Sequence, residues 1–259
     1  MNPAPCPGSS GLSDDHFKSF CHTSEPLSTS TAKTALELPP KIEEDLRASM
    51  EGEQEDLYQA ELKLARQHLL QITTEEQLHQ QRFNLLTSLL RLRQICCHPA
   101  LVNPKKDTVS SAKLEALMDL LEPLREEGNK ILVFSQFVEM LKLIQHRVTE
   151  HQWPSFLLTG ETENRGQLIE EFQNHPGAGL FLISLRAGGS GVNLAAASYV
   201  VLFDPWWNPA VENQAIDRVH RIGQTRTVFA YRLLIRDSIE DKIRQLQVRK
   251  SMLAKDILG

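Results

Sequence analysis

The chain lacks several features that would settle its class at once. No uninterrupted apolar run approaches the ~20 residues that a membrane-spanning helix requires. The N-terminus has no basic start followed by an apolar stretch, so no secretory signal is visible. Only 4 cysteines occur in 259 residues, two of them adjacent at Cys96 and Cys97, which does not suggest a disulfide framework. These absences point away from secretion and toward a reducing cytoplasmic (nucleoid-associated) or nuclear compartment. Cys96, Cys97 and His98 also lack the C-x2-C spacing and second ligand pair of a zinc site. No metal site is expected there, and core packing at a helix end is the expected role.

A basic excess is missing too: the net charge is −5. The charge is unevenly divided, however. Residues 37–80 carry eleven acids against four Lys or Arg, whereas residues 211–259 carry ten Lys or Arg against six acids. Nucleic-acid binding depends on local basic surface, so the overall sign does not exclude it.

What is present is a series of ordered segments. Residues 1–35 are rich in Ser, Thr and Pro without an apolar period and read as disordered. From Leu38 to about Pro99 the signal is helical, opened by Pro39 and Pro40, with acids crowding the first turns. Leu78, Leu85, Leu86, Leu89, Leu92 and Ile95 recur there at helical spacing. A helix is expected over Ser111–Glu127, stopped by Gly128. Short apolar runs then follow at Ile131–Phe134, Phe156–Leu158, Leu180–Ser184, Tyr199–Phe203 and Val228–Ile235. Helical stretches separate most of them, at Val138–His151, Arg165–Asn174 and Pro209–Ile222, and a basic amphipathic helix runs from about Ser238 to the end. Alternation of this kind indicates an α/β domain with a parallel sheet covered on both faces.

Within the helix expected over Pro209–Ile222, Gln214, Arg218 and Arg221 share one face. Val211, Ala215, Val219 and Ile222 form a second, apolar stripe. Two fixed guanidiniums in one row suit a polyphosphate, although an ordinary solvated face has the same appearance. Gly188, Gly189 and Gly191 give three glycines in four positions, which suits an anion-binding nest or simply a tight turn. The D-P-W-W-N-P segment, Asp204 to Pro209, puts Trp206 and Trp207 at a strand end, where a packed turn is the plain reading.

The strings I-L-V-F-S-Q-F, L-L-T-G-E-T, L-I-S-L-R-A-G-G-S-G-V-N-L, D-P-W-W-N-P and H-R-I-G-Q occur in that order. Over Leu36–Gly259 the chain closely resembles the C-terminal motor lobe of the Swi/Snf-type DNA translocases, a branch of superfamily 2 helicases. The resemblance implies a RecA-like sheet over residues 111–259, preceded by a helical inter-lobe segment over residues 36–110. It implies arginine fingers at Arg218 and Arg221. Gln214 and Gln224 would position them or the nucleotide, beside nucleotide contacts at Gly189, Gly191 and Asn193. It further implies duplex-backbone contacts at Ser135, Gln136, Thr159, Gly160, Gly188, Trp206 and Trp207, and Arg186 is a further candidate for its charge beside the glycine loop.

The chain has neither the G-x-x-x-x-G-K-[ST] cradle nor a D-E-x-H-type magnesium motif. ATP and Mg²⁺ are therefore expected only together with an N-terminal ATP-binding lobe that this sequence does not contain, and turnover by the chain alone is expected to be negligible. The expected partners are duplex DNA and that first lobe, with no membrane. Two rivals stay open: a separated, non-catalytic lobe that binds DNA or a partner, and an unrelated α/β phosphate-binding domain.

Overall fold

In the computed structural model, residues 38–258 are described, apart from 71, 73, 188–193 and 222. The described elements run β1 (Lys41–Ala48), α1 (Gly52–Leu70), α2 (Glu75–Cys97), α3 (Ala112–Glu126), β2 (Lys130–Ser135), α4 (Val138–Glu150) and β3 (Ser155–Leu158). After these come α5 (Arg165–Asn174), β4 (Gly179–Ser184), β5 (Tyr199–Leu202), α6 (Pro209–Ile216), β6 (Val228–Ile235) and α7 (Ile239–Leu258). The six strands form one sheet in the order β1-β6-β5-β2-β4-β3, and every pairing is parallel.

Alternation along the strands builds both faces. In β2, Leu132 and Phe134 join Phe172 of α5 and Ala215 and Ile216 of α6 in one buried cluster. Ile131 and Val133 point the other way, into a cluster with Leu117 and Leu121 of α3 and Met140 and Ile144 of α4. The result is the doubly covered parallel sheet of a RecA-like α/β fold. Local signals place the helices. The Ser111 hydroxyl accepts from Leu114 N at 3.3 Å to start α3, and Gly128, at φ +76°, follows its end.

Two expectations need correction. The stretch expected to begin a helix at Leu38 is instead the edge strand β1, paired with β6 over its whole length. Its acids do not serve a helix dipole. Glu43 and Asp45 flank Arg232 of β6 at 2.6 and 3.7 Å, and Asp45 also meets Arg244 of α7 at 2.9 Å. The helical part begins only at Gly52. There α1 and α2 form a pair that buries Tyr58, Leu92, Ile95 and Cys96, while Leu86 stays exposed.

The second correction concerns α6, which stops at Ile216, so Arg218 and Arg221 leave it on successive turns. The Arg218 carbonyl accepts from Leu194 N at 3.4 Å and the Val219 carbonyl from Gln224 Nε2 at 3.4 Å. These tertiary partners draw the carbonyls out of the helical ladder.

Candidate functional site

The carboxyl ends of β2 and β5 meet around a buried carboxylate. Asp204 follows β5 and accepts from the Ser135 hydroxyl, and from Gln136 N at 3.3 Å. Burial pushes the Asp204 carboxyl above its usual range, against the opposing pull of Arg93, Ser135 and Lys113. The Arg93 guanidinium, 2% exposed, lies 3.8 Å from that carboxylate. It also donates to Gln136 Oε1 at 3.1 Å and to the Pro205 carbonyl, and it stacks over the Trp207 ring at 5.2 Å.

Below this cluster, Lys113 Nζ donates to the Phe203 carbonyl at 2.9 Å and to Glu240 Oε1 at 2.6 Å, fully enclosed. Burial works against the Lys113 ammonium, but the Glu240 carboxylate more than restores it, raising its pKa.

Trp206 is held from the other side. Its backbone N–H donates to Glu212 Oε1 of α6 at 2.8 Å, and its carbonyl accepts from Gln247 of α7. Glu212 Oε2 in turn receives Arg232 Nε at 2.9 Å. Cys96 and Cys97 are buried free thiols, and burial raises both well above the usual thiol range. His98 is spent locally, its Nδ1 accepting from Ala100 N at 3.0 Å.

The residues singled out in the sequence fall into separate places. Gln136, Arg186 and Trp206 line one open groove of about 1150 Å³, together with Phe137 and Val138 from the start of α4. Ser135 is adjacent but enclosed, so its hydroxyl serves Asp204 and Phe137 N instead of solvent. Thr159 and Gly160 follow β3, whose place is the sheet edge, and neither lines that groove. The Thr159 hydroxyl accepts from Glu161 N at 3.2 Å, and the Gly160 carbonyl accepts from Arg165 Nη2 at 3.2 Å. Gly188, Gly189, Gly191 and Asn193 lie outside the described residues, as does Ile222.

In the arginine turn, Gln214 and Arg221 are exposed and Arg218 is half-buried, while Ala215 and Val219 are buried beneath them. Gln224 is enclosed and fully engaged. Its Nε2 donates to the carbonyls of Ala195, Ala197 and Val219, and its Oε1 accepts from Thr225 N and Arg226 N, both at 3.0 Å. This one amide binds the exit of the glycine-rich segment to the arginine turn.

The sequence pattern did not single out Arg93, Glu212 or Arg232. An arginine among Leu92, Ile95, Cys96 and Cys97 at a helix end was the available signal for Arg93. Glu212 and Arg232 gave none, because their meeting depends on the tertiary fold.

Residues 112–223 match the helicase conserved C-terminal domain family, and residues 16–101 match the SNF2-related domain family. The putative ATP-dependent helicase/translocase YwqA of Bacillus subtilis is 38% identical over 235 residues, covering 87% of this chain and 25% of its own length. The Sulfolobus solfataricus SWI2/SNF2 ATPase core in complex with dsDNA is 35% identical with a TM-score of 0.70, covering 85% of this chain and 46% of that one. The C-terminal domain of the same SWI2/SNF2 ATPase is 34% identical with a TM-score of 0.68, covering 85% of this chain and 90% of that domain. The chain spans between 10% and 25% of the length of the curated relatives compared with it. Among the described residues, no helix is long and apolar enough to cross a membrane. The parallel sheet, the ordered motifs at its carboxyl edge and the likeness to a whole C-terminal domain together place the chain in the Swi2/Snf2 family of ATPases.

Proposed function

We propose that the chain is the second motor lobe of an ATP-dependent duplex-DNA translocase, supplying Arg218 and Arg221 as arginine fingers and Gln136, Arg186, Trp206 and Trp207 as duplex-backbone contacts. The observation that carries this reading is the arginine turn. Buried Ala215 and Val219 anchor it, the Gln224 amide fixes it, and the Arg218 carbonyl ties it to Leu194 at the exit of the glycine-rich segment. Guanidiniums held on a rigid turn lose little entropy when they grip a triphosphate. Residues 111–259 carry the lobe's motifs. Residues 36–110 carry the helical segment that adjoins the first lobe, and β1 is lent to the sheet.

The residues present fit one wall of a nucleotide site. Arg218, Arg221 and Gln214 offer donors to phosphate oxygens, and the first lobe would hold ATP and Mg²⁺. When bound there, the metal–nucleotide would supply a terminal phosphoanhydride bond whose hydrolysis by water, with release of the diphosphate and phosphate, would drive motion between lobes. This chain's part is to neutralise charge on the outermost phosphate and to hold the duplex backbone. Ser135 and Gln224 act by positioning, through Asp204 and the turn respectively. The relative solved with dsDNA supports the choice of duplex. A cytoplasmic or nuclear setting goes with this reading.

The test combines the chain with the first lobe of a Swi2/Snf2 relative and measures ATP turnover with and without duplex. Duplex binding by the chain alone is measured beside it. Turnover is expected only in the combination, and duplex should stimulate it. Turnover by the chain alone would overturn the assignment. Duplex binding with no turnover in any combination would favour a non-catalytic binding lobe.

A further inference from the structure

Arg93 contacts both carboxyl-end loops of the central strands at once. It rises from the last turns of α2, where Leu92, Ile95, Cys96 and Cys97 are buried around it. That helix end is clamped from outside. Gln54 of α1 donates to the Ile95 carbonyl at 2.8 Å and accepts from Ala112 N at 3.0 Å, and the Ser111 hydroxyl donates to the Cys97 carbonyl at 2.6 Å. The guanidinium is thus fixed at its root. Its planar fork then spans the Gln136 amide after β2, the Pro205 carbonyl and Asp204 carboxylate after β5, and one face of the Trp207 indole. Trp207 is still 49% exposed, so the ring keeps surface to offer a ligand. Gln136 likewise lines the groove that it shares with Arg186 and Trp206.

The geometry points to Arg93 as a positioning residue for duplex binding: it presets Gln136 and Trp207 in one arrangement and makes the α1–α2 helices part of the DNA-holding apparatus. This inference rests on the duplex-translocase reading above. A purely structural arginine would need Asp204 and oxygen acceptors for its N–H donors, but not a half-exposed indole under its face. The additional contacts, to one amide and one half-exposed indole, order groups that a backbone ligand meets. Lysine can replace the charge but not the fork, since its ammonium cannot reach the amide, the carbonyl and the ring face in one plane.

The experiment compares Arg93→Lys with the wild-type chain in thermal melting and in duplex binding over a salt series. If Arg93 positions, Arg93→Lys melts within a few degrees of wild type but binds a duplex at least ~10-fold more weakly. Its slope of log affinity against log salt should stay near that of wild type, because Gln136 and Trp207 carry no charge and displace no counterions. A second variant, Arg93→Met with Asp204→Asn, removes the buried charge together with its partner and should show the same loss of affinity. Wild-type affinity in either folded variant overturns the inference while leaving the duplex reading intact. Failure of both variants to fold also overturns it, because the cluster would then serve stability alone. If the wild-type chain shows no salt-dependent duplex binding, the reading beneath the inference falls and this one with it.

Discussion

Glu212 on α6 and Arg232 on β6 meet at 2.9 Å with both side chains buried, and each is also committed elsewhere. Glu212 carries Trp206 through its other oxygen, and Arg232 carries Glu43 of the edge strand at 2.6 Å. The pair therefore joins the tryptophan loop to the far edge of the sheet. Removing Glu212 leaves Arg232 paired with Glu43 and Asp45 but strands two buried donors, Arg232 Nε and the Trp206 backbone N–H, at about 1–3 kcal/mol each. Glu212→Ala is expected to lower unfolding free energy by that order in urea titration. A Glu212→Ala chain as stable as wild type would show that the pair contributes nothing.

The edge strand should respond to acid. Burial pushes the Glu43 carboxyl up, but hydrogen bonds from Lys41 and Arg232 outweigh it and hold the group below its ordinary value of 4.5. A carboxylate depressed in the fold contributes stability above its unfolded value, and that contribution is lost as pH falls through the folded one. The stability difference between wild type and Glu43→Gln should therefore be constant at neutral pH and shrink below about 4.5. A difference that stays level or widens on acidification would contradict the sign.

These two ion pairs show why the sheet was legible in the sequence and its edge was not. The expected run Val228–Ile235 is β6 as observed, because a mostly apolar strand flanked by turn residues needs only local information. Lys41–Ala48 has four acidic or basic residues in its first five positions and resembles a solvated helix start. Its strand conformation is set by partners nearly two hundred residues away: Arg232, Arg244 and the β6 backbone. The arginine segment failed locally for a related reason. Its apolar period continues through Val219, which is buried as the stripe implied, but Leu194 and Gln224 capture the carbonyls that a longer helix would need. Arg218 and Arg221 are proposed on chemical grounds, as paired guanidiniums suited to a polyphosphate. The helical face on which they were placed does not exist.

The adjacent cysteines offer a check on packing. Cys96 and Cys97 are enclosed, and burial disfavours their thiolates, the reactive form. In a variant with Cys6 and Cys21 replaced by serine, an aromatic disulfide reagent should label neither thiol in the folded chain, and both in denaturant. Rapid native labelling would place this helix end at the surface.

The arginine turn permits the sharpest test of the proposed chemistry. Arg221 is exposed, on a turn whose anchoring falls to Ala215, Val219 and Gln224. Arg221→Lys should therefore leave the melting temperature nearly unchanged, and duplex binding without nucleotide should survive. With a first lobe supplied, lysine keeps the positive charge but loses the planar pair of donors, so the grip on the outermost phosphate is misplaced. Turnover should fall at least ~10²-fold, a conservative bound beneath the usual contribution of an arginine finger. Turnover, melting temperature and duplex affinity are to be measured on one preparation of the variant. Retained turnover would make Arg221 a solvated turn residue. Turnover lost only alongside folding would make it a structural one, and in either case the finger would have to be sought elsewhere on the lobe.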